Sequence, residues 1–428
     1  MPSAIESRYL FYCWPTSEEP LPMNRKCMRS LAKLRHTSKC LMFAGAIAAA
    51  WPAASHAAPV YADWFRHSEN ITGAWTFSEV NVDANRVQIN STVPAKGEPK
   101  RILVLYPRGS SAYDIAMSKI LDVFASKNMP IEFQIVNFQN DDGLGAEVLD
   151  LVEEQRFDLI FSMGSESTAW LHQYYRNGKT PVVTVCSKDP VALGHIAGYE
   201  RGSGTNFAFT SLNMPTEVQL AYLMDFMPGL KNLGILVARS NISAVRTQAK
   251  PMQDAVEAKG IKAVYLAVQN QDNTKEELGH LIDGALVEMR KTDPSLDHSM
   301  FWITGATSVF REIETINQHA GPVPVLSAVP EVVQAGDLSA VMSIGISFES
   351  NGYLAAVYGY DVLTGAAKAG DLKVGIVSPP DIAINFRRAR AIGVEVPFSF
   401  FESANYVYDY EGNAVRLRGR DLTRNAGS

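Results

Sequence analysis

From residue 101 onward, short runs of β-branched and other apolar residues alternate with amphipathic stretches of ten to twenty residues. This alternation is typical of βα units, in which helices join the strands of a parallel sheet. It predicts strands at residues 102–106, 131–136, 159–161, 182–185, 233–237, 263–267, 300–303, 323–326 and 340–344. It predicts helices at residues 112–126, 146–154, 166–175, 216–227, 244–258, 274–291, 309–319 and 349–364. The fold class is therefore α/β.

The number of βα repeats and one interruption predict the architecture. About eight repeats exceed what one doubly wound sheet usually holds, which leaves a closed barrel or two smaller sheets. Between residues 185 and 233 the repeat stops, and several glycines and Pro215 surround the short segment 206–210. Such a break favours a passage of the chain into a second lobe. We expect two doubly wound parallel-sheet lobes joined by a hinge of several crossings.

Residues 28–57 have the pattern of a secretory signal peptide, with a basic start, an apolar run at residues 40–50 and a small-residue ending. The apolar run is shorter than the roughly 20 residues that span a bilayer. We therefore expect cleavage near Ala57, a periplasmic location and no direct insertion of the processed protein into the membrane. Translation is then expected to start at Met23 or Met28 rather than at Met1.

Charge and cysteine content exclude some classes of protein. The chain carries a net charge of −6 and has no block of consecutive basic residues, so nucleic acid is not expected as a partner. Removal of residues 1–57 takes away seven Lys/Arg and three Asp/Glu, which leaves a more acidic protein. Of four cysteines only Cys186 lies beyond the leader, so no intrachain disulfide is expected. We expect a monomer whose stability comes from packing.

The expected division of the chain follows from these patterns. It consists of a leader (1–57), an N-terminal arm (58–99), lobe 1 (100–210 plus about 327–384), lobe 2 (211–326 plus about 385–397) and a C-terminal tail (398–428). The arm, with alternating polarity at residues 80–93, is expected to be either an extra β-hairpin or an ordered arm, and the turn sequence Glu411-Gly412-Asn413 predicts a hairpin in the tail.

Polar side chains follow several of the predicted strands. Loops of this kind meet at the carboxyl edge of a parallel sheet, where α/β proteins bind ligands, and helix N-termini there offer free N–H donors. Glu166 and Asp189 are candidates for contact with an ammonium group, although Ser165 as a helix cap and Asp189-Pro190 as a turn are open alternatives. The candidate ligand-binding residues are Tyr106, Ser110, Ser165, Glu166, Ser187, Asp189, Ser240, Asn270, Thr307 and Ser327.

The motifs of common enzyme classes do not occur. The histidines form no HExxH pattern, and residues 164–168 lack the closing glycine of a GxSxG elbow. Residues 202–207 lack the third glycine of a dinucleotide fingerprint, and neither GxxxxGK[ST] nor CxxC occurs. We therefore expect no cofactor, no metal and no catalytic set. The serine-rich loops alone keep an α/β hydrolase open as an alternative.

The order of several segments resembles the substrate-binding proteins of ABC transporters, a family with the type I periplasmic-binding-protein fold that includes binders of tryptophan and other amino acids. Two of the matching segments are Asp158-Leu-Ile-Phe-Ser-Met-Gly-Ser165 and Pro181-Val-Val-Thr-Val-Cys-Ser-Lys-Asp-Pro190. The others are residues 204–206, 227–236, 323–327, 347–352, 362–366, 384–385 and 393–397.

The resemblance implies a two-lobed clamp that closes on a small amino-acid-like or similar polar or aromatic solute. Its implied partners are a membrane permease and an ATPase. By the family's layout, the loops of Ser165, Ser187 and Ser327 belong to one lobe and those of Ser240 and Thr307 to the other. The added arm and tail keep a second interpretation open, in which the same clamp is a periplasmic sensor for a receptor kinase.

Overall fold

A computed structural model of the chain describes residues 60–422, apart from residues 72, 81–82, 95–96 and 271–272. The leader predicted at residues 1–57 lies outside the described residues. No helix among the described residues has both the length and the apolar character that a membrane crossing needs.

The first lobe is built on a seven-stranded sheet. Its strands are β1 (Trp75–Glu79), β2 (Arg86–Ser91), β3 (Lys100–Tyr106), β4 (Ile131–Asn137), β5 (Leu159–Met163), β6 (Val182–Val185) and β7 (Phe207–Ala208), in the spatial order β1-β2-β4-β3-β5-β6-β7. Strands β4, β3, β5, β6 and β7 are parallel. Helices α1 (Ser111–Ser126), α2 (Asp142–Gln155) and α3 (Gly164–Tyr174) connect them. Asp141 caps α2 by accepting hydrogen bonds from the N–H groups of Gly143 and Leu144.

The second lobe is built on a nine-stranded sheet. In chain order the remaining strands are β8 (Thr210–Ser211), β9 (Asn232–Ala238), β10 (Lys262–Val268), β11 (Ser299–Ile303), β12 (Val325–Ser327), β13 (Met342–Gly345), β14 (Gly375–Ile376), β15 (Asp381–Asn385), β16 (Tyr406–Tyr408), β17 (Ala414–Leu417) and β18 (Arg420–Asp421). The sheet has the order β10-β9-β11-β12-β13-β15-β16-β17-β18, and β8 pairs separately with β14. Strands β10, β9, β11, β12 and β13 are parallel.

The helices of the second lobe follow its strands. They are α4 (Thr216–Phe226), α5 (Ile242–Ala244 and Lys250–Ala258, joined by a π-helical turn at Val245–Ala249), α6 (Thr274–Met289), α7 (Thr307–Phe310) and α8 (Ile313–Ala320). Helix α9 (Phe348–Thr364) returns to the first lobe, and α10 (Phe386–Ala391) and α11 (Phe398–Ser403) follow in the second. Short 3₁₀ turns occur at Val60–Asp63, Glu69–Ile71, Pro330–Val332 and Ala369–Asp371.

Three crossings join the lobes. The chain leaves the first lobe between β7 and α4, returns between β13 and α9, and leaves again between β14 and β15. On its return, α9 packs directly on α1, and Gly352 makes this approach close because a Cβ at that position would lie 2.7 Å from the carbonyl oxygen of Ala116. The expected two-lobed fold with a hinge of several crossings is confirmed.

Pairing of the strands differs from the expected division of the chain at residues 327–384. Strands β12, β13 and β15 pair within the nine-stranded sheet, so Ser327 belongs to the second lobe and not to the lobe of Ser165 and Ser187. Only α9 and β14 of this segment return to the first lobe. From here on, lobe 1 denotes the seven-stranded sheet with α1–α3 and α9, and lobe 2 denotes the nine-stranded sheet with its helices.

The arm and the tail each form a hairpin consistent with their sequence and extend a sheet. In the arm, β1 pairs with β2, and β2 pairs antiparallel with β4. In the tail, β16 joins β15, and β17 and β18 continue outward. Arg418, at the turn between β17 and β18, forms an ion pair of 2.7 Å with Glu349 of α9, and Lys119 of α1 contacts the same carboxylate at 3.3 Å.

Asn351 links α9 to the first crossing, and its replacement provides a test of this link. Its Oδ1 accepts a hydrogen bond of 2.7 Å from the N–H of Cys186, and its Nδ2 donates to Thr210 and Ser211, all in the protein interior. Asn351→Ala leaves a buried N–H unpaired, so we expect the free energy of unfolding to fall by about 1–3 kcal/mol. Urea denaturation measures it, with Ser350→Ala as the neighbouring control; equal midpoints for the two variants would contradict the role.

Glu331 predicts a pH dependence of stability. Its Oε1 accepts a hydrogen bond of 2.7 Å from the N–H of Phe348, and its Oε2 is buried without a partner. Burial, and then the nearby Asp381 and Glu349 carboxyls, raise the pKa of Glu331 to about 8. Because the folded pKa lies above the unfolded one, the stabilising contribution is complete at acidic pH and is lost as the pH rises towards 8 and beyond.

Glu331→Gln removes this titration while keeping an oxygen for Phe348. Relative to the wild type, we expect the variant to gain stability between pH 5 and about pH 8 and the difference to level off above pH 8, measured by denaturant unfolding at fixed ionic strength. A constant difference between the two proteins across this pH range would show that Glu331 does not titrate as proposed.

Candidate functional site

Six of the predicted residues lie together at the carboxyl edge of the lobe 1 sheet. Tyr106 ends β3, Ser110 precedes α1, and Ser187 follows β6. Ser165 and Glu166 lie in the first turn of α3, and Asp189 follows Ser187 by two residues. Since β3, β5 and β6 are parallel, their loops open on one edge, as the sequence pattern predicts.

Three of these residues have buried hydroxyl groups without a hydrogen-bond partner among the described residues. Tyr106, Ser110 and Ser187 are exposed by 0%, 5% and 1%, and none of their hydroxyl oxygens is paired. Buried polar atoms in folded proteins are nearly always hydrogen-bonded, so three such hydroxyls on one edge are unusual. They are free to bind a solute or water at this edge of lobe 1.

Two tyrosine rings and one glycine pack together at this edge. The rings of Tyr106 and Tyr113 meet edge to face, with centroids 5.5 Å apart. Gly164, at the junction of β5 and α3, has a φ of +79°, and a Cβ there would overlap the hydroxyl of Tyr113. Burial and the nearby Glu166 raise the pKa of Tyr113 well above its usual value, so its hydroxyl keeps its proton.

The two acidic candidates are already engaged by the protein. Glu166 Oε1 accepts from Arg108 at 2.7 Å, an ion pair in which both side chains are partly exposed. Asp189 Oδ1 accepts from the N–H groups of Val191 and Ala192, and its Oδ2 accepts from the Tyr199 hydroxyl. Asp189 thus has the turn-forming role that the sequence left open, while Ser165 uses its hydroxyl to accept from the N–H of Lys188.

The four candidates of lobe 2 lie at different distances from its centre. Ser327, 1% exposed, follows β12 and accepts from the N–H of Val329, and the half-buried Thr307 begins α7 after β11. Ser240 and Asn270 are exposed after β9 and β10, at one side of the sheet. The structure therefore places Thr307 and Ser327 after the adjacent strands β11 and β12, Asn270 after the edge strand β10, and Ser240 after β9, between β10 and β11.

Several residues that the strand-end pattern did not select lie in lobe 2 beside the first crossing. Thr247 and Gln248 belong to the π-helical turn of α5, and Trp302 lies near the end of β11. With Gln219 and residues of the first crossing they line a cavity of about 10 Å³, about the space of one water molecule. The indole N–H of Trp302 and the side-chain NH₂ of Gln219 are buried without partners. Trp302 has an aromatic side chain beside a predicted loop, but no sequence signal marks Gln248.

The two lobes touch beside this cavity. Asn213 of the first crossing accepts from the N–H of Asp189 at 2.9 Å in lobe 1 and donates to the carbonyl of Thr247 at 3.1 Å in lobe 2. Arg246 of lobe 2 donates to the carbonyl of Ala192 in lobe 1 at 3.3 Å. The loop after β6 and the π-helical turn of α5 therefore meet, and hydroxyl-bearing loops lie on both sides.

Residues 104–407 match the family described as "ABC transporter substrate binding protein", and the chain belongs to this family. Members of this class bind solutes for transport, so a solute-binding function follows from membership. No curated protein matches the chain in sequence.

Solved structures agree in fold. A conserved domain protein from Vibrio cholerae is 18% identical with a TM-score of 0.58, over 72% of this chain and 100% of the other. An ABC domain from Streptococcus pneumoniae in complex with L-Trp is 19% identical with a TM-score of 0.56, over 72% and 100%. The ligand-free, open form of a substrate-binding protein from Clostridium difficile is 20% identical with a TM-score of 0.54, over 71% and 98%. The type I periplasmic-binding-protein fold is confirmed.

The unpartnered hydroxyl of Tyr106 provides a test that needs no solute. Tyr106→Phe removes a buried oxygen that has no protein partner, so we expect the free energy of unfolding to stay constant or to rise by up to about 1 kcal/mol. Tyr175→Phe is the matched control, because the Tyr175 hydroxyl accepts from the buried N–H of Thr180 at 3.0 Å. Denaturant unfolding should show that only the control loses about 1–3 kcal/mol; a similar loss in Tyr106→Phe would mean that its hydroxyl is structurally engaged.

Proposed function

We propose that this protein is the periplasmic solute-binding component of an ABC importer and closes on a small amino-acid-like or similar polar or aromatic solute. The observation that carries the proposal is the pair of strand-end edges that face each other across a three-crossing hinge. Unpartnered hydroxyls of Tyr106, Ser110 and Ser187 lie on one side. Thr307, Ser327 and Trp302 belong to the strand ends of the other.

In this mechanism the lobes close around the solute, so that both of them contact it. A solute held between the lobes requires them to separate and then to close around it. A solute that contacts both lobes binds the closed form more tightly than the open form and shifts the population towards it. The closed form is then the species that a permease and its ATPase recognise, and the solute leaves chemically unchanged.

A hydrolytic function finds no support in the arrangement of the serines. Ser165 accepts from a backbone N–H, Ser327 does the same, and Ser187 has no partner. A nucleophilic serine needs a base within hydrogen-bond reach, and these three hydroxyls have none.

A periplasmic sensor remains the second candidate because of the arm and the tail. Strands β1, β2, β17 and β18 lie outside the residues that match the family and extend both sheets outward. These additions suit a partner other than the solute. A receptor-kinase gene next to this gene, without a permease gene, would favour the sensor.

Solute binding is tested on the processed chain from residue 58. We expect at least one amino acid to raise the melting temperature, because a ligand that binds only the folded state stabilises it by mass action. Ser187→Ala should lower the affinity for that solute about two- to tenfold, which corresponds to the loss of one hydrogen bond. Calorimetric titration measures this, and Ser295→Ala, an exposed serine of lobe 2, should bind as the wild type does.

X-ray scattering with and without the solute reports on closure. If no metabolite class changes either the melting temperature or the radius of gyration, the proposed function is wrong. Equal affinities of the wild type and Ser187→Ala would leave the function intact but remove Ser187 from the site.

A further inference from the structure

A buried lysine lies between the two lobes. Lys188 follows Ser187 in the loop after β6, is 7% exposed, and is fixed at its backbone by the hydrogen bond of 3.0 Å to Ser165. Its side chain reaches lobe 2, because a Cβ placed on Gly305 would overlap the Lys188 Nζ. Gly305 follows β11 and donates its N–H to Gln248 Oε1 at 2.9 Å. The ammonium group therefore lies where a closing solute would touch both lobes.

Lys188 forms no ion pair with a carboxylate among the described residues. Among the ion pairs of the described residues, none includes Lys188. Glu166, a carboxylate that acts electrostatically on Lys188, is paired with Arg108, and Asp189 is satisfied by its own loop and Tyr199. A buried charge without a partner is strongly unfavourable, so such groups are usually compensated by a bound ion or ligand.

The same contacts show that the space around Lys188 does not favour the ammonium group of a solute. An ammonium group needs a free carboxylate, and both acidic candidates of lobe 1 already have partners. Burial lowers the pKa of Lys188 to about 8, so at neutral pH most molecules still carry the charge that an anion would neutralise. Gly305 supports this interpretation, because the absence of a side chain there leaves room for the ammonium group.

We propose that Lys188 binds a carboxylate of the solute between the lobes, and that the solute is selected as an organic anion whose amino group is dispensable. This inference rests on the proposed solute-binding function and narrows its substrate class. Since the ammonium group contacts lobe 2 while its backbone is fixed in lobe 1, pairing with the carboxylate also favours closure.

Three matched sets of three compounds and one matched pair separate the contributions of the carboxylate and the amine to binding. The probes are L-tryptophan, indole-3-propionate and tryptamine; L-phenylalanine, 3-phenylpropionate and phenethylamine; L-leucine, 4-methylpentanoate and 3-methylbutylamine; and acetate against acetamide. Thermal shift and calorimetric titration are performed on the processed chain at pH 7. We expect carboxylates to bind in at least one set, the deaminated acid to bind no more than tenfold more weakly than the amino acid, and the amine not to bind.

Two variants place the effect on Lys188. Lys188→Met should lower the affinity for the carboxylate at least tenfold without destabilising the protein, since it removes a buried unpaired charge. Gly305→Ala keeps the charge but occupies the space of the ammonium group, and should also weaken carboxylates. Lys179→Met, which removes an exposed lysine of the same lobe, should bind as the wild type does.

The outcomes distinguish this inference from the proposed function. Binding of amines or neutral compounds, or carboxylate binding that is equal in Lys188→Met and the wild type, overturns the role of Lys188 and leaves solute binding intact. A strict requirement for the amino group overturns the selection of an anion. If no compound of any charge changes the melting temperature or the scattering curve, both the inference and the proposed function fail.

Discussion

The packing of α9 on α1 is the contact on which the two-lobed arrangement depends. Gly352 brings the helices close enough that a side chain there would meet the backbone of Ala116, and Asn351 satisfies the backbone at the end of β6. Because α9 comes from β13 of lobe 2 and leads through β14 to β15, this one interface fixes two of the three crossings. The facing strand-end loops are aligned because α9 holds this position.

Local sequence patterns predicted the positions of the helices and strands well, but predicted less well which strands pair with one another. The β-branched runs at residues 102–106 and 233–237 correspond to β3 and β9 within two residues at each end, because a strand buried on both faces needs an apolar run. The same signal cannot tell which sheet a strand joins. Residues 327–384 were therefore assigned to lobe 1, although hydrogen bonding places β13 and β15 in lobe 2.

The candidate site shows the same limit. Serines and threonines after strands were found by their position in the sequence. Asn270 nevertheless lies at one side of the sheet because β10 is an edge strand, and a local sequence pattern does not contain the order of the strands. Lys188 was missed for a different reason. A lysine in a loop usually extends into water, and its burial here results from contact with Gly305, which lies more than a hundred residues away in the sequence.

The C-terminal hairpin has a consequence for colloidal behaviour. Strand β15 is buried along its whole length. Without β16, the N–H and C=O groups on that side of β15 would be unpaired, and β15 would be an exposed apolar edge strand. With the hairpin in place, the edge strand is β18, which consists of two exposed residues of opposite charge, Arg420 and Asp421. A short charged strand is a poor template for intermolecular pairing, so these last strands protect the protein from self-association and aggregation.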